Sequence, residues 1–132
     1  PGVSFGGRTD LLSLNAATGV LLNAGGIAAQ TKVSGFVNTQ FDDDGVLRRL
    51  PLLIKYDGVI HANLSLATVM RSLGVLSGSI ESDGDGLYIR VGTHRIPINE
   101  TGFAKLRFNG KPELYGAIRP VAFCRNLCNE TG

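Results

Sequence analysis

The 132-residue chain has no tryptophan and only two cysteines, two histidines and one methionine. These scarcities exclude several chemistries. Cys124 and Cys128 stand at C-x3-C spacing with no second pair, which is not a zinc-ribbon pattern. On a helix they share one face, where an i,i+4 disulfide is strained. Two half-buried thiols on a C-terminal helix is therefore the first reading, and a bridge near a frayed helix end in an oxidising compartment is the second. His61 and His94 have no cysteine or carboxylate near them at metal-ligand spacing, so neither a metal nor a cofactor is expected. No G-x-S-x-G elbow surrounds Ser65, and no catalytic residue is assigned.

Charge is also sparse. Charged residues make up 18% of the chain and the net charge is +2. The basic residues are dispersed and only Arg48 and Arg49 are adjacent, which is not the stripe or patch of a nucleic-acid footprint. No apolar run approaches the roughly 18–20 residues a membrane span needs; residues 11–29 come nearest, interrupted by Asn15, Asn23 and several glycines. No signal peptide is evident. The chain begins at Pro1 without Met and both ends stop mid-pattern, so we read it as a piece of a longer protein.

What is present is a 43% hydrophobic chain rich in glycine, with 18 residues of it. That is one domain's worth of material, enough to bury a core through short elements and many turns. Residues 3–5 read as a short strand, residues 6–10 as a turn, and residues 24–30 as a short helix. Residues 11–22 are ambiguous between helix and loop. Residues 33–40 and 46–56 read as strands, separated by an acidic turn at residues 42–45. Pro51 marks a bend or an outward-facing edge, because proline cannot donate to a ladder. Asp57-Gly58 between apolar flanks predicts a hairpin.

A helix over residues 62–73 follows, with Ala62, Leu66, Val69, Met70 and Leu73 on one face, His61 helping to cap it and Gly74 ending it. Residues 77–86 read as a flexible stretch. A second hairpin spans residues 87–98, turning at Gly92-Thr93; residues 103–108 alternate as a strand, and Pro120 precedes a last helix over residues 121–127. Hairpins and helices succeed one another without βαβ alternation. The fold class is accordingly α+β, a mixed and largely antiparallel sheet with β-hairpins and two or three packed helices.

The consecutive residues Asp42, Asp43 and Asp44 lack the alternate spacing and the terminal Glu of an EF-hand loop, so turn chemistry is preferred over calcium. Asp83 and Asp85 are read in the same way. On a strand, Arg48 and Arg49 point to opposite faces, one inward and one to solvent. The inward one is expected to pair with Asp42 or Asp44, or to offer a fork to an anionic ligand, and structural pairing is preferred.

One run carries more information than composition does. Gly35-Phe36-Val37-Asn38 is followed by Asp42, Asp44-Gly45-Val46, Arg48-Arg49, Pro51-Leu52, a further apolar strand, Asp57-Gly58 and a helix rich in Ser, Leu and Ala. This pattern resembles the core of a CHASE2 domain. The resemblance covers about residues 32–127, more weakly in the first third, with Arg95-Ile96-Pro97 in the short strand pair. Arg107-Phe108-Asn109-Gly110 departs from the family's Asn-Tyr-Arg-Gly-like run. Family members are about twice as long, so the 132 residues are taken as a single domain forming the C-terminal portion of the module.

The resemblance implies an extracytoplasmic, periplasmic sensory domain of a bacterial membrane receptor. Through transmembrane helices such a receptor feeds a nucleotide cyclase, a histidine kinase or another signalling output. The implied partner is an extracellular small molecule or protein, with a homodimer as a further expectation and no nucleic acid. Arg48, Arg49, Asp42 and Asp44 are the candidate ligand-binding residues. The alternative is a structural or dimerisation module without its own ligand. A standalone hydrolase has no supporting motif.

Overall fold

A computed structural model describes residues 2–21, 24–30 and 34–108. The expected C-terminal helix over residues 121–127, with Cys124 and Cys128, lies outside the described residues.

The strongest local signals are the hairpins. Strands β3 (Leu53–Tyr56) and β4 (Val59–Ala62) pair antiparallel with Tyr56 opposite Val59. Both turn residues have positive φ, 49° at Asp57 and 75° at Gly58. That is the type I′ geometry whose twist matches the flanking strands. A four-stranded sheet in the order β1-β5-β6-β7 is built from β1 (Ser4–Gly7), β5 (Ser77–Asp83), β6 (Gly86–Val91) and β7 (His94–Ile98). Strand β1 runs parallel to β5, and the other two pairs are antiparallel. The strand expected at residues 3–5 is thus β1, and the turn expected at residues 6–10 is partly strand, followed by a 3-10 turn at Thr9–Leu11.

Alternation sorts the two faces of this sheet. Ile80, Ile89 and Ile96 form one rung across three strands, pointing to the core. Glu81, Tyr88 and Pro97 form a rung of the opposite face. Residues 77–86 were expected to be flexible. They contain β5 instead, which is an inner strand of the sheet. Its Ser- and Gly-rich composition conceals it, because it contributes a single large apolar side chain, the fully buried Ile80.

The expected strand over residues 46–56 is divided. Strand β2 (Arg49–Pro51) pairs with β8 (Phe103–Lys105), with Pro51 opposite Phe103. At Leu52 the chain changes partners: the Leu52 N–H donates to the Gly102 carbonyl at 2.9 Å, and its own carbonyl accepts from the Asn63 N–H at 2.9 Å. Strand β3 then pairs with β4. Pro51 does mark the break, but it is buried rather than outward-facing. Residues 34–40 are not a strand. They make only an isolated parallel bridge, Phe36 to Asn63.

Helix α1 (Gly25–Ala28) is one turn long. Helix α2 (Leu64–Ser72) is the longer of the two helices among the described residues, so the domain is richer in sheet than expected. Its N-cap is Asn63, not His61: the buried Asn63 Oδ1 accepts from the Leu66 N–H at 2.8 Å. Its far end is a Schellman closure. Gly74, at φ 70°, donates to the Arg71 carbonyl at 3.1 Å, and Val75 donates to the Met70 carbonyl at 2.9 Å. Leu66, Ala67 and Met70 are the buried face of α2, whereas Val69 and Leu73, expected on that face, are exposed, and Ala62 belongs to β4. With Leu52, Leu53, Ile80, Ile89, Val91 and Ile98 they complete one core cluster.

Candidate functional site

The acidic turn is a closed loop. The Asp42 N–H donates to the Val46 carbonyl at 3.0 Å, and the Gly45 N–H donates to the Asp42 carbonyl at 2.8 Å. Asp44 Oδ1 accepts from the Val46 N–H at 3.0 Å. The loop brings the chain back on itself, so that Arg48 and Arg49 return alongside the acids that precede them. Arg48 bonds Asp44 through both terminal nitrogens, at 2.9 and 2.6 Å, and reaches Asp42 Oδ2 at 3.0 Å. Arg49 reaches Asp42 Oδ1 at 3.2 Å.

All four candidate residues therefore meet in one cluster whose formal charges cancel. The expectation that one arginine points inward is not met. Both side chains are about half exposed, at 50% for Arg48 and 58% for Arg49, and Asp42 is the most enclosed of the four at 24%. Arg48 leads into β2 rather than lying in it, so strand alternation does not separate the pair. Hydrogen bonds from Arg48 and then Arg49 hold the Asp42 carboxyl below the usual carboxylate range, and Arg48 does the same for Asp44. The same bonds raise the Arg48 guanidinium above its already high value.

Beside this cluster lie two adjoining cavities of about 220 and 270 Å³, which share Asn15, Gln40 and Phe103 in their walls. Asp42, Arg49 and Thr101 complete the first. Phe36, Asn38, Thr39, Pro51, Leu53 and Ile54 complete the second. Together they make one open cleft, with Asp42 and Arg49 at one end. Arg48 and Asp44 do not line it; Arg48, itself held by Asp44, bonds Asp42.

Each wall has a traceable cause. Asn15 is fixed along β3, where its carbonyl accepts from the Lys55 N–H at 3.0 Å and the Ala17 N–H returns to the Lys55 carbonyl at 2.8 Å. Phe36 is fixed at the start of α2. Its N–H donates to the Ala62 carbonyl at 3.1 Å and its carbonyl accepts from the Leu64 N–H at 2.8 Å. Gly35 permits that approach: a Cβ there would stand 2.6 Å from the main chain of Asn63 and Leu64. Thr101 and Phe103 are set by Asn99, whose Oδ1 accepts from the Thr101 N–H, the Thr101 hydroxyl and the Phe103 N–H at 3.1, 2.8 and 2.9 Å.

Residue reading missed Asn15, Phe36, Gln40, Thr101 and Phe103 as site residues. They come from three chain segments brought together only by tertiary pairing. The one local signal was Gly35-Phe36-Val37-Asn38, and it marks a pattern, not a cleft. A second polar cluster lies on the outer face of the large sheet, where Arg95 stacks 4.0 Å over the Tyr88 ring and pairs with Asp83, and Arg90 pairs with Glu81. Asp83 also accepts from the Asp85 N–H at 2.9 Å, which is turn chemistry as expected. Among the described residues, no group of three His, Cys, Asp or Glu side chains is placed to hold a metal ion.

The run that shapes this cleft, from Gly35 through the Asp42–Arg49 pair to α2, falls within a match to the CHASE2 domain family spanning residues 8–127. The chain belongs to the CHASE2 family. The match also takes in the first third of the chain, where residue reading found the resemblance weaker. No curated protein and no solved structure matches the chain. CHASE2 domains are extracellular sensory domains rather than catalysts, which makes sensing the role of this fold and suggests an extracytoplasmic location. No helix among the described residues is long and apolar enough to cross a membrane.

Proposed function

We propose that this CHASE2 domain is the input module of a bacterial membrane receptor. In this reading it is anchored through transmembrane helices of the parent protein and drives a nucleotide cyclase, a histidine kinase or another signalling output. An extracellular small molecule occupies the cleft beside Asp42 and Arg49. The observation that supports this reading is the attachment of the cleft wall to α2: the segment carrying Phe36, Asn38 and Gln40 is bonded by its main chain to the first residue of that helix. An occupant that shifts the wall acts on α2 directly. Signalling then requires only that the occupant prefer one of two positions of the helix.

The test is made on the parent protein. Reporter fusions that are active only outside or only inside the membrane place this domain on the outer side, and the reading frame carries an apolar span followed by an output domain. A cytoplasmic location of the domain overturns the proposal.

A second reading has its own support. Val69 and Leu73, one turn apart on one flank of α2 and its end, are 46% and 43% exposed. An apolar surface of this kind suits a pairing module that spaces receptors without binding a ligand. Its mark is a mass that doubles with concentration and that Val69→Lys restores to the monomer.

A further inference from the structure

The composition of the cleft narrows the chemistry of its occupant, and this inference rests on the receptor reading above. Asn15, Asn38 and Gln40 line the cleft, and none of their side chains makes a hydrogen bond among the described residues. Each primary amide offers donors and an acceptor together. At the end of the cleft, Arg49 commits one N–H to Asp42 and keeps the rest of its donors, while both oxygens of Asp42 retain acceptor capacity. The charges there are already matched. An anion would have to compete with Asp42 for Arg49, and a cation would have to compete with two guanidiniums for Asp42.

Groups that both donate and accept without net charge fit this lining with no such competition. Hydroxyls are such groups. Phe36 and Phe103 add apolar ring surface in the same walls, suited to the C–H face of a ring that carries hydroxyls at its edge. The two cavities side by side reach the lower part of the roughly 300–1,000 Å³ typical of small-molecule sites.

We infer that the cleft between Asn15, Phe36, Gln40 and Phe103, closed by the Asp42–Arg49 pair, is a binding site for a neutral polyhydroxylated ring, that is, a mono- or disaccharide. The ligand's hydroxyls bridge the amides and the ion pair, and one face of its ring lies on the phenylalanines.

The experiment is a titration of the 132-residue chain with a panel of neutral mono- and disaccharides, alongside zwitterionic amino acids and dicarboxylates, followed by calorimetry and ligand-observed NMR. The expected result is binding of at least one saccharide, little changed by added salt. Asn38→Ala combined with Gln40→Ala should weaken it about tenfold or more, each neutral hydrogen bond counting for a few-fold. Both side chains are exposed and unbonded to protein, so this variant keeps its fold, which circular dichroism verifies. Arg8→Ala, which lies outside the cleft lining, leaves binding unchanged. Saccharide binding that ignores the Asn38/Gln40 variant overturns the site. Salt-sensitive binding of amino acids or dicarboxylates in its place overturns the ligand class, and so does the failure of every saccharide. None of these results touches the membrane placement of the domain, which is read separately from the topology of the parent.

Discussion

Gly35 lies so close to Leu64 that a methyl group at position 35 would stand 2.6 Å from the Leu64 Cα. The contact is main chain against main chain, so neither side can give way by changing a rotamer. It ties the wall of the cleft to the first turn of the principal helix.

Gly35→Ala should therefore destabilise the domain by about 1–3 kcal/mol, the usual cost of forcing added atoms into a packed site. Gly26→Ala, which meets nothing within 4 Å, serves as the control and should be neutral or slightly stabilising. Urea unfolding of the two variants makes the comparison. Equal stabilities would show that residues 34–36 are not held against α2.

Asn63→Ala should cost about 0.5–2 kcal/mol, because the Leu66 N–H loses its only side-chain acceptor. His61→Ala should have little effect, since His61 is exposed and does not cap the helix. Thermal melts of both variants check this, and a larger loss for His61→Ala would contradict the assignment of the cap.

Met70→Ala should open a cavity and cost about 2–5 kcal/mol, whereas Val69→Ala, one position along, should stay within about 0.5 kcal/mol. Met70 is completely buried and Val69 is 46% exposed. Chemical denaturation distinguishes them, and similar losses would mean that α2 is rotated on the core.

The carboxyls of Asp42 and Asp44 are held below their ordinary range by Arg48 and Arg49. A depressed folded pKa means that the unfolded chain binds more protons on the acid side. The stabilisation is complete above the unfolded Asp value near pH ~3.9 and is lost as pH falls through the lower folded values. Asp42→Asn with Asp44→Asn should therefore flatten the acid limb of the stability curve below about pH 4. The effect should be modest and reduced by salt, because the cluster is largely exposed. An acid limb unchanged in the double variant would show that these pairs do not persist in solution.

The elements legible in the sequence were those written by neighbouring residues. Asp57-Gly58 and Gly92-Thr93 announce their hairpins because turn geometry depends on the turn residues themselves. The short helix at residues 24–30 and the stop at Gly74 were equally local. The failures share the opposite cause. Strand β5 reads as a loop because its strand character comes from being held between β1 and β6. Pro51 is buried because β8, fifty residues downstream, covers it. The meeting of Asp42, Asp44, Arg48 and Arg49 was partly foreseeable, since a tight turn separates them. The cleft beside them was not, because Asn15, Gln40 and Phe103 converge only through pairing across the whole chain.

The parallel pairing of β1 with β5 sets an order of assembly. Hairpins β5–β6–β7 can form from contacts within some twenty residues, but Ser4 must find Ser77 across about two thirds of the described range. Closing a loop of that length is slow relative to local pairing. Strand β1 should dock last, so for a time the nascent domain carries β5 with one edge bare. A bare edge accepts any strand of suitable register, including β1 of another copy. At high concentration during refolding, exchange of β1 between copies is therefore the misassembly to which this architecture is most exposed.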